Sequence, residues 1–240
     1  MIQKKKRKWN LKNITMDFEF FHFDIETNSK YESFSEFEKN DVIGANLFRD
    51  KYAKMKWDEK YDSIDDAYFE NACIVSAFGE ICCISCGFYN NGDIKIDSIY
   101  GVDEKDILIK FNNTLKKVQS KNFKLCGYRI FYFDIPWILR KMAKYGIIPA
   151  QIIVTYDVKP WEMRVVDLAD VWKGKIPWVS SFDEVCYELG VESPKDKMDG
   201  SMVNTYFWQG KMDEVVEYCE KDIKASIGVE LKLFHEKGED

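Results

Sequence analysis

The chain has 240 residues, 46% of them hydrophobic and 32% charged, values that suit a globular protein with a sizeable core. A formal net charge of −6 excludes holding nucleic acid by bulk electrostatics, although bound cations can offset acidic ligands locally. No secretory signal or membrane-length apolar run is visible, and the seven cysteines (73, 82, 83, 86, 126, 186 and 219) read as reduced thiols in a cytoplasmic setting.

The chain opens with a basic run, Lys4 to Lys8, so residues 1–15 read as a solvated tail. A weak phosphate-binding arm or a localisation signal is the alternative. Residues 16–240 then form one domain. Phe18 to Phe23 is an aromatic run that predicts a buried strand leading into Asp24-Ile25-Glu26. Residues 28–72 are polar, aromatic and acidic. A segment this long is not expected to lack structure, which predicts an insertion of short helices or a lid.

Ile81 to Tyr89 and Ile94 to Tyr100 flank the turn Asn90-Asn91-Gly92-Asp93, which predicts a hairpin. Asp103 starts a helix that carries Ile107, Leu108, Phe111, Leu115 and Val118 on one face. Phe123 to Gly127 is a short strand. A second helix runs from about Asp134 to Tyr145, with Pro136 tolerated in its first turn and Gly146 at its C-cap. Arg164 to Leu168 is a further strand. Ser181 to Glu184 reads as a capping box for a helix that Gly190 closes, and Asp213 to Phe234 is a long amphipathic helix. Hairpins give antiparallel neighbours and helical crossovers parallel ones. The expectation is an α/β fold: a mixed five-stranded sheet flanked by helices, with an insertion after the first strand.

Asp24 and Glu26 lie two apart at a strand end, so both side chains point to one face. Two close carboxylates repel each other, and a divalent cation between them removes the conflict. Asp134 stands at a strand-to-helix junction, where taken alone it reads as an N-cap. Tyr218 and Asp222 are i and i+4 on the last helix and share a face with apolar neighbours. A parallel pairing of the first and fourth strands would bring Asp24, Glu26 and Asp134 to one sheet edge.

Other features carry bland readings. Cys83 and Cys86 fall on opposite faces of a strand, without a second ligand pair, and read as core. His22 and His235 have no nucleophile in plausible geometry nearby. Lys110, Lys116, Lys117, Lys121 and Lys124, and Arg140, Lys141 and Lys144, read as solvated helix faces or as guides for a single strand.

Taken together, Phe23-Asp24-Ile25-Glu26-Thr27, Phe133-Asp134-Ile135-Pro136 and Tyr218-Cys219-Glu220-Lys221-Asp222 resemble the three motifs of the DEDD exonuclease superfamily in its tyrosine form. The nearest likeness is to the proofreading domain of family-B DNA polymerases and to stand-alone exonucleases related to it. Ser193 to Ser201 is similar to the latter group. The resemblance covers most of residues 18–234 and implies an RNase H-like fold.

It also implies a 3′–5′ exonuclease that releases nucleoside 5′-monophosphates from single-stranded 3′ ends, with DNA favoured over RNA. Two divalent cations, Mg²⁺ or Mn²⁺, are implied, with Asp24 bridging, Glu26 and Asp222 completing one site and Asp134 serving the other. Tyr218 would orient the attacking water. The backbone around Ile25 and Thr27 would meet the terminal nucleotide, and Phe133 would support it or fill the core. Arg129 stands where the family usually has Asn, which the resemblance makes a nucleic-acid contact with a changed side chain. The protein would act alone or beside a separate polymerase or replication protein. An RNA exonuclease and a non-catalytic nucleic-acid-binding module are the competing expectations.

Overall fold

The computed structural model describes residues 19–159, 161–195 and 198–234; the basic tail and His235 lie outside them. In chain order the elements are β1 (Glu19–Ser29), α1 (Phe34–Asn40), α2 (Val42–Lys54), α3 (Ile64–Asn71), β2 (Gly79–Asn90), β3 (Asp93–Tyr100), α4 (Glu104–Gln119), β4 (Phe123–Gly127), α5 (Asp134–Lys144), β5 (Val165–Asp167), α6 (Leu168–Lys173), α7 (Phe182–Leu189), α8 (Val203–Trp208) and α9 (Met212–Phe234). The sheet order is β3-β2-β1-β4-β5. β1 is antiparallel to β2 and parallel to β4, so the mixed five-stranded sheet is the one expected.

β1 extends further than the aromatic run suggests. It pairs with β2 through both acidic residues, Asp24 opposite Ser85 and Glu26 opposite Cys83, with a bulge between Glu26 and Thr27. Its pairing with β4 stops at His22 opposite Cys126, and β4 ends one residue later. A cleft therefore opens beside β1 where the carboxylates lie. Gly127 makes this close exit possible: a Cβ there would stand 2.4 Å from Ile130 and 2.9 Å from the Phe23 carbonyl.

Alternation along β1 divides the two faces of the sheet. Phe21, Phe23 and Ile25 enter the main core with Ile107, Phe111 and Ile138 of α4 and α5. His22, Asp24 and Glu26 face the other way, toward α9. Cys83 and Cys86 do lie on opposite faces, in different clusters, and both are buried.

The segment after β1 forms α1, α2 and α3, which share an aromatic core of their own. Phe34, Phe37, Phe48, Trp57, Tyr68 and Phe78 pack there in edge-on and tilted pairs. Such pairs contribute roughly 0.5–1.5 kcal/mol each beyond their buried area.

Two expectations are corrected. Lys141 is not on a solvated face. It is 3% exposed and pairs with buried Glu104 at 3.2 Å while donating to the Gly79 carbonyl. Its i, i+4 relation to Trp137 sets it on the inner face of α5, where Glu104 removes the cost of an isolated buried charge. His22 does have a hydroxyl in reach: its Nδ1 lies 2.8 Å from Ser226 Oγ. The Glu230 carboxylate is 3.7 Å from Nε2, so the three side chains tie α9 to β1 across a buried seam.

Candidate active site

The cleft at the end of β4 is a cavity of about 220 Å³ lined by Asp24, Glu26, Tyr218, Asp222, Tyr128 and Phe182, among others. β1 supplies Asp24 and Glu26, and α9 supplies Tyr218 and Asp222 from successive turns of one face. Asp134 approaches from the first turn of α5. It is not the N-cap, a position held by Phe133. Its carboxylate instead accepts a hydrogen bond from the Ile25 N–H at 3.0 Å. A tertiary contact has taken the side chain that local capping would have used.

The electrostatics are those of crowded acids. Burial, then the charges of Asp134 and Asp222, push Asp24 well above the usual carboxylate range. Burial and the Asp24 charge do the same to Glu26. Asp134 rises to about 7, chiefly by burial and against the pull of the Ile25 N–H. Asp222 also rises to about 7 by burial, opposed by a hydrogen bond from Tyr218 and by the nearby Lys195 charge. Burial and the surrounding carboxylates hold the Tyr218 hydroxyl far above its ordinary range, so it stays protonated.

Among the described residues, one group of three ligand side chains has its donor atoms mutually within 4.8 Å: Asp24, Glu26 and Cys219. Asp134 and Asp222 stand outside that tight group, although their charges reach Asp24. Acids that repel one another in a buried cleft are suited to divalent cations, which cancel the repulsion.

A family model described as "Predicted 3'-5' exonuclease related to the exonuclease domain of PolB" matches residues 73–239. The chain belongs to this family. The match spans Asp134, Tyr218 and Asp222, whereas Asp24 and Glu26 precede it. For this PolB-related exonuclease no curated protein sequence matches. Among solved structures, the family B DNA polymerase from the hyperthermophilic archaeon Pyrobaculum calidifontis is similar over 90% of this chain, with a TM-score of 0.59 at 15% identity. The chain spans 24% of the length of that polymerase. The likeness shows the RNase H-like fold.

The residues expected to touch nucleic acid are placed differently from one another. Ile25 is buried and its N–H is engaged by Asp134. The Thr27 hydroxyl donates to the Cys73 carbonyl at 2.6 Å. Phe133 is half-buried, 5.5 Å from Trp137 and packed on the core. Arg129 is exposed, with a left-handed φ of 61°. Asn adopts that backbone region more readily than Arg, which gives the position's usual residue a conformational reason.

Three features of this PolB-related site were not singled out by sequence reasoning. Asp167, 2% exposed, accepts from the N–H groups of Arg129, Phe131 and Ala169, and so shapes the loop that delivers Asp134. Cys219 reaches Asp24, a placement its i, i+3 spacing to Asp222 hints at. Tyr128 stacks on Phe182 at 4.6 Å, and both line the cavity. Of the stretch Ser193 to Ser201, Lys195 pairs with Asp183 at 2.7 Å and Asp199 caps the short turn before α8, while Asp196 and Lys197 lie outside the described residues. Among the described residues, no helix is long and apolar enough to cross a membrane.

Proposed function

We propose that this protein hydrolyses the terminal phosphodiester bond at single-stranded DNA 3′ ends and releases nucleoside 5′-monophosphates. Two divalent cations, Mg²⁺ or Mn²⁺, would be held by Asp24, Glu26, Asp134 and Asp222. The observation that supports this reading is that Asp24 and Glu26 of β1 and Asp222 of α9 line one cleft, with Asp134 of α5 near enough for its charge to act on Asp24, and that burial and mutual repulsion raise their proton affinity. The donor set is all oxygen, which suits hard cations.

When bound, such ions neutralise phosphate charge, stabilise the leaving 3′-oxygen and make a coordinated water more acidic. The protein's own groups set the geometry. Asp134 spends one oxygen on the Ile25 N–H, which fixes the carboxylate behind the strand that carries Asp24 and Glu26. Tyr218 stays neutral and donates a hydrogen bond to Asp222, so its oxygen lone pairs are available to orient a water on the phosphorus. It is a positioning group, since a hydroxyl that does not ionise is not a base. The stacked Tyr128 and Phe182 rings form an apolar wall against which the terminal base can pack. DNA is favoured because the family is related to a polymerase exonuclease domain. A separate replication polymerase is the partner such an activity would serve.

The test is digestion of 5′-labelled single-stranded DNA and RNA with Mg²⁺, with and without EDTA. Shortening from the 3′ end, stopped by EDTA and absent in Asp24→Asn, is expected. An Asp24→Asn variant that cuts at the wild-type rate overturns the assignment.

A further inference from the structure

Cys219 follows Tyr218 on α9 and is fully buried against the acidic face of β1. Its sulfur lies 3.5 Å from Asp24 Oδ2. The donor atoms of Cys219, Asp24 and Glu26 all lie within 4.8 Å of one another. Glu26 is 7% exposed, lines the cavity, and has no hydrogen-bond donor or cation recorded against its carboxylate among the described residues. The cluster is thus a thiol and two carboxylates from two elements, with donor atoms near enough to share one ion.

The sulfur discriminates between ions, and the spacing accommodates a thiophilic one. Zinc binds sulfur at about 2.3 Å and oxygen at about 2.0 Å, and a tetrahedral angle between them separates the two ligands by roughly 3.5 Å. This is the Cys219–Asp24 separation already present. Mg²⁺ and Mn²⁺ prefer oxygen and have little use for the sulfur, whereas thiophilic ions gain most from it.

We propose that Cys219, Asp24 and Glu26 form a three-ligand site for a thiophilic divalent cation, Zn²⁺ or Cd²⁺, which excludes the hard cations and inhibits the nuclease. The inference rests on the reading of Asp24 and Glu26 as cation ligands. One thiol proton passes to solvent for each ion bound, and the fourth position is left to water. The carboxylates are then shared between two mutually exclusive states. In one they hold hard cations and the thiol donates its hydrogen bond to Asp24. In the other the thiolate recruits the ion. Free zinc would act as a brake on the enzyme.

The experiment is a titration of the metal-free full chain with CdCl₂, followed by the thiolate-to-cadmium charge-transfer absorption in the ultraviolet. Mn²⁺ binding is measured in parallel by calorimetry. All seven cysteines are buried, so no surface thiol supplies a competing signal. The wild type should show one equivalent of band. Cys219→Ser and Cys219→Ala, checked for folding by circular dichroism, should lose it and bind Cd²⁺ roughly tenfold or more weakly. Mn²⁺ should suppress the band competitively, and the zinc concentration that halves Mg²⁺-supported cleavage should rise in Cys219→Ser. A band that persists in both Cys219 variants, or its absence in a wild type that binds Mn²⁺, overturns this inference and leaves the nuclease reading standing. Failure to bind either ion overturns both.

Discussion

The Asp134 carboxylate accepts the Ile25 N–H at 3.0 Å, which fastens the first turn of α5 to the strand between Asp24 and Glu26. Anion and hydrogen-bond acceptor are separate roles of one side chain, and two variants separate them. Asp134→Asn keeps an acceptor and removes the charge. It should hold or raise metal-free stability while losing nuclease activity. Asp134→Ala leaves a buried N–H without a partner and should cost about 1–3 kcal/mol in urea unfolding. Equal stability of the two variants would show that the contact does not matter.

Proton linkage makes the site a stability liability without metal. Asp134 and Asp222 rise from an ordinary 3.8 to about 7, and Asp24 and Glu26 rise as well. At these four carboxyls the folded state therefore binds more protons than the unfolded chain, so their contribution to stability falls as pH increases from about 4 through about 7, while buried His22, held below its ordinary value, contributes in the opposite sense. Cations need the ionised carboxylates, so Mn²⁺ should raise the melting temperature more at pH 8 than at pH 5.5. Thermal melts at both values check this, and a metal-free stability that rises with pH across the window would contradict it.

Tyr218→Phe removes an orienting oxygen and no base. The expected loss is on the order of 10²-fold in kcat with KM little changed. The pH–rate profile should keep its shape, because the hydroxyl does not titrate in the accessible range. A basic limb present in the wild type and missing from the variant would make Tyr218 a proton acceptor after all.

Asp167 acts through others. It holds three N–H groups of the β4–α5 loop and its own helix start, at 2.8 Å, 3.0 Å and 3.0 Å. Asp167→Ala should cost about 3 kcal/mol or more, since several buried donors lose their acceptor together. At a temperature where the variant remains folded, kcat should drop with Asp134 misplaced. Full activity in a destabilised Asp167→Ala would confine the residue to a structural role.

The carboxylate motifs were legible because short-range geometry sets them. Residues two apart on a strand and four apart on a helix share a face wherever the strand and helix lie. The antiparallel hairpin and the parallel pairing of the first and fourth strands follow from the turn and the crossovers, whereas the full order of the sheet does not. Asp134 was harder, since an Asp at a helix start has an equally good local use, and only the arrival of Ile25 decides between the two. Lys141 looked like its solvated neighbours until Glu104 came from another helix to meet it. The acceptor role of Asp167 depends on a loop 36–38 residues away in the chain, and no pattern near Val165–Asp167 announces it. Cys219 looked like apolar filler because its chemistry is set by how closely α9 lies on β1.

The seam between β1 and α9 has a further consequence. His22, Asp24 and Glu26 recur about every 6.6–6.8 Å along the strand, and Glu230, Ser226 and Asp222 about every 6 Å along the helix in the opposite sense. The two steps nearly match, so the polar faces of strand and helix stay in phase across the interface. Sliding the helix by one turn would set Ser226 where Asp222 belongs and take the hydroxyl away from the His22 ring. The molecule thus carries a built-in ratchet in which one seating of α9 sets Ser226 on His22 and Asp222 near Asp24, and the centre is assembled by the same fit that seats the helix.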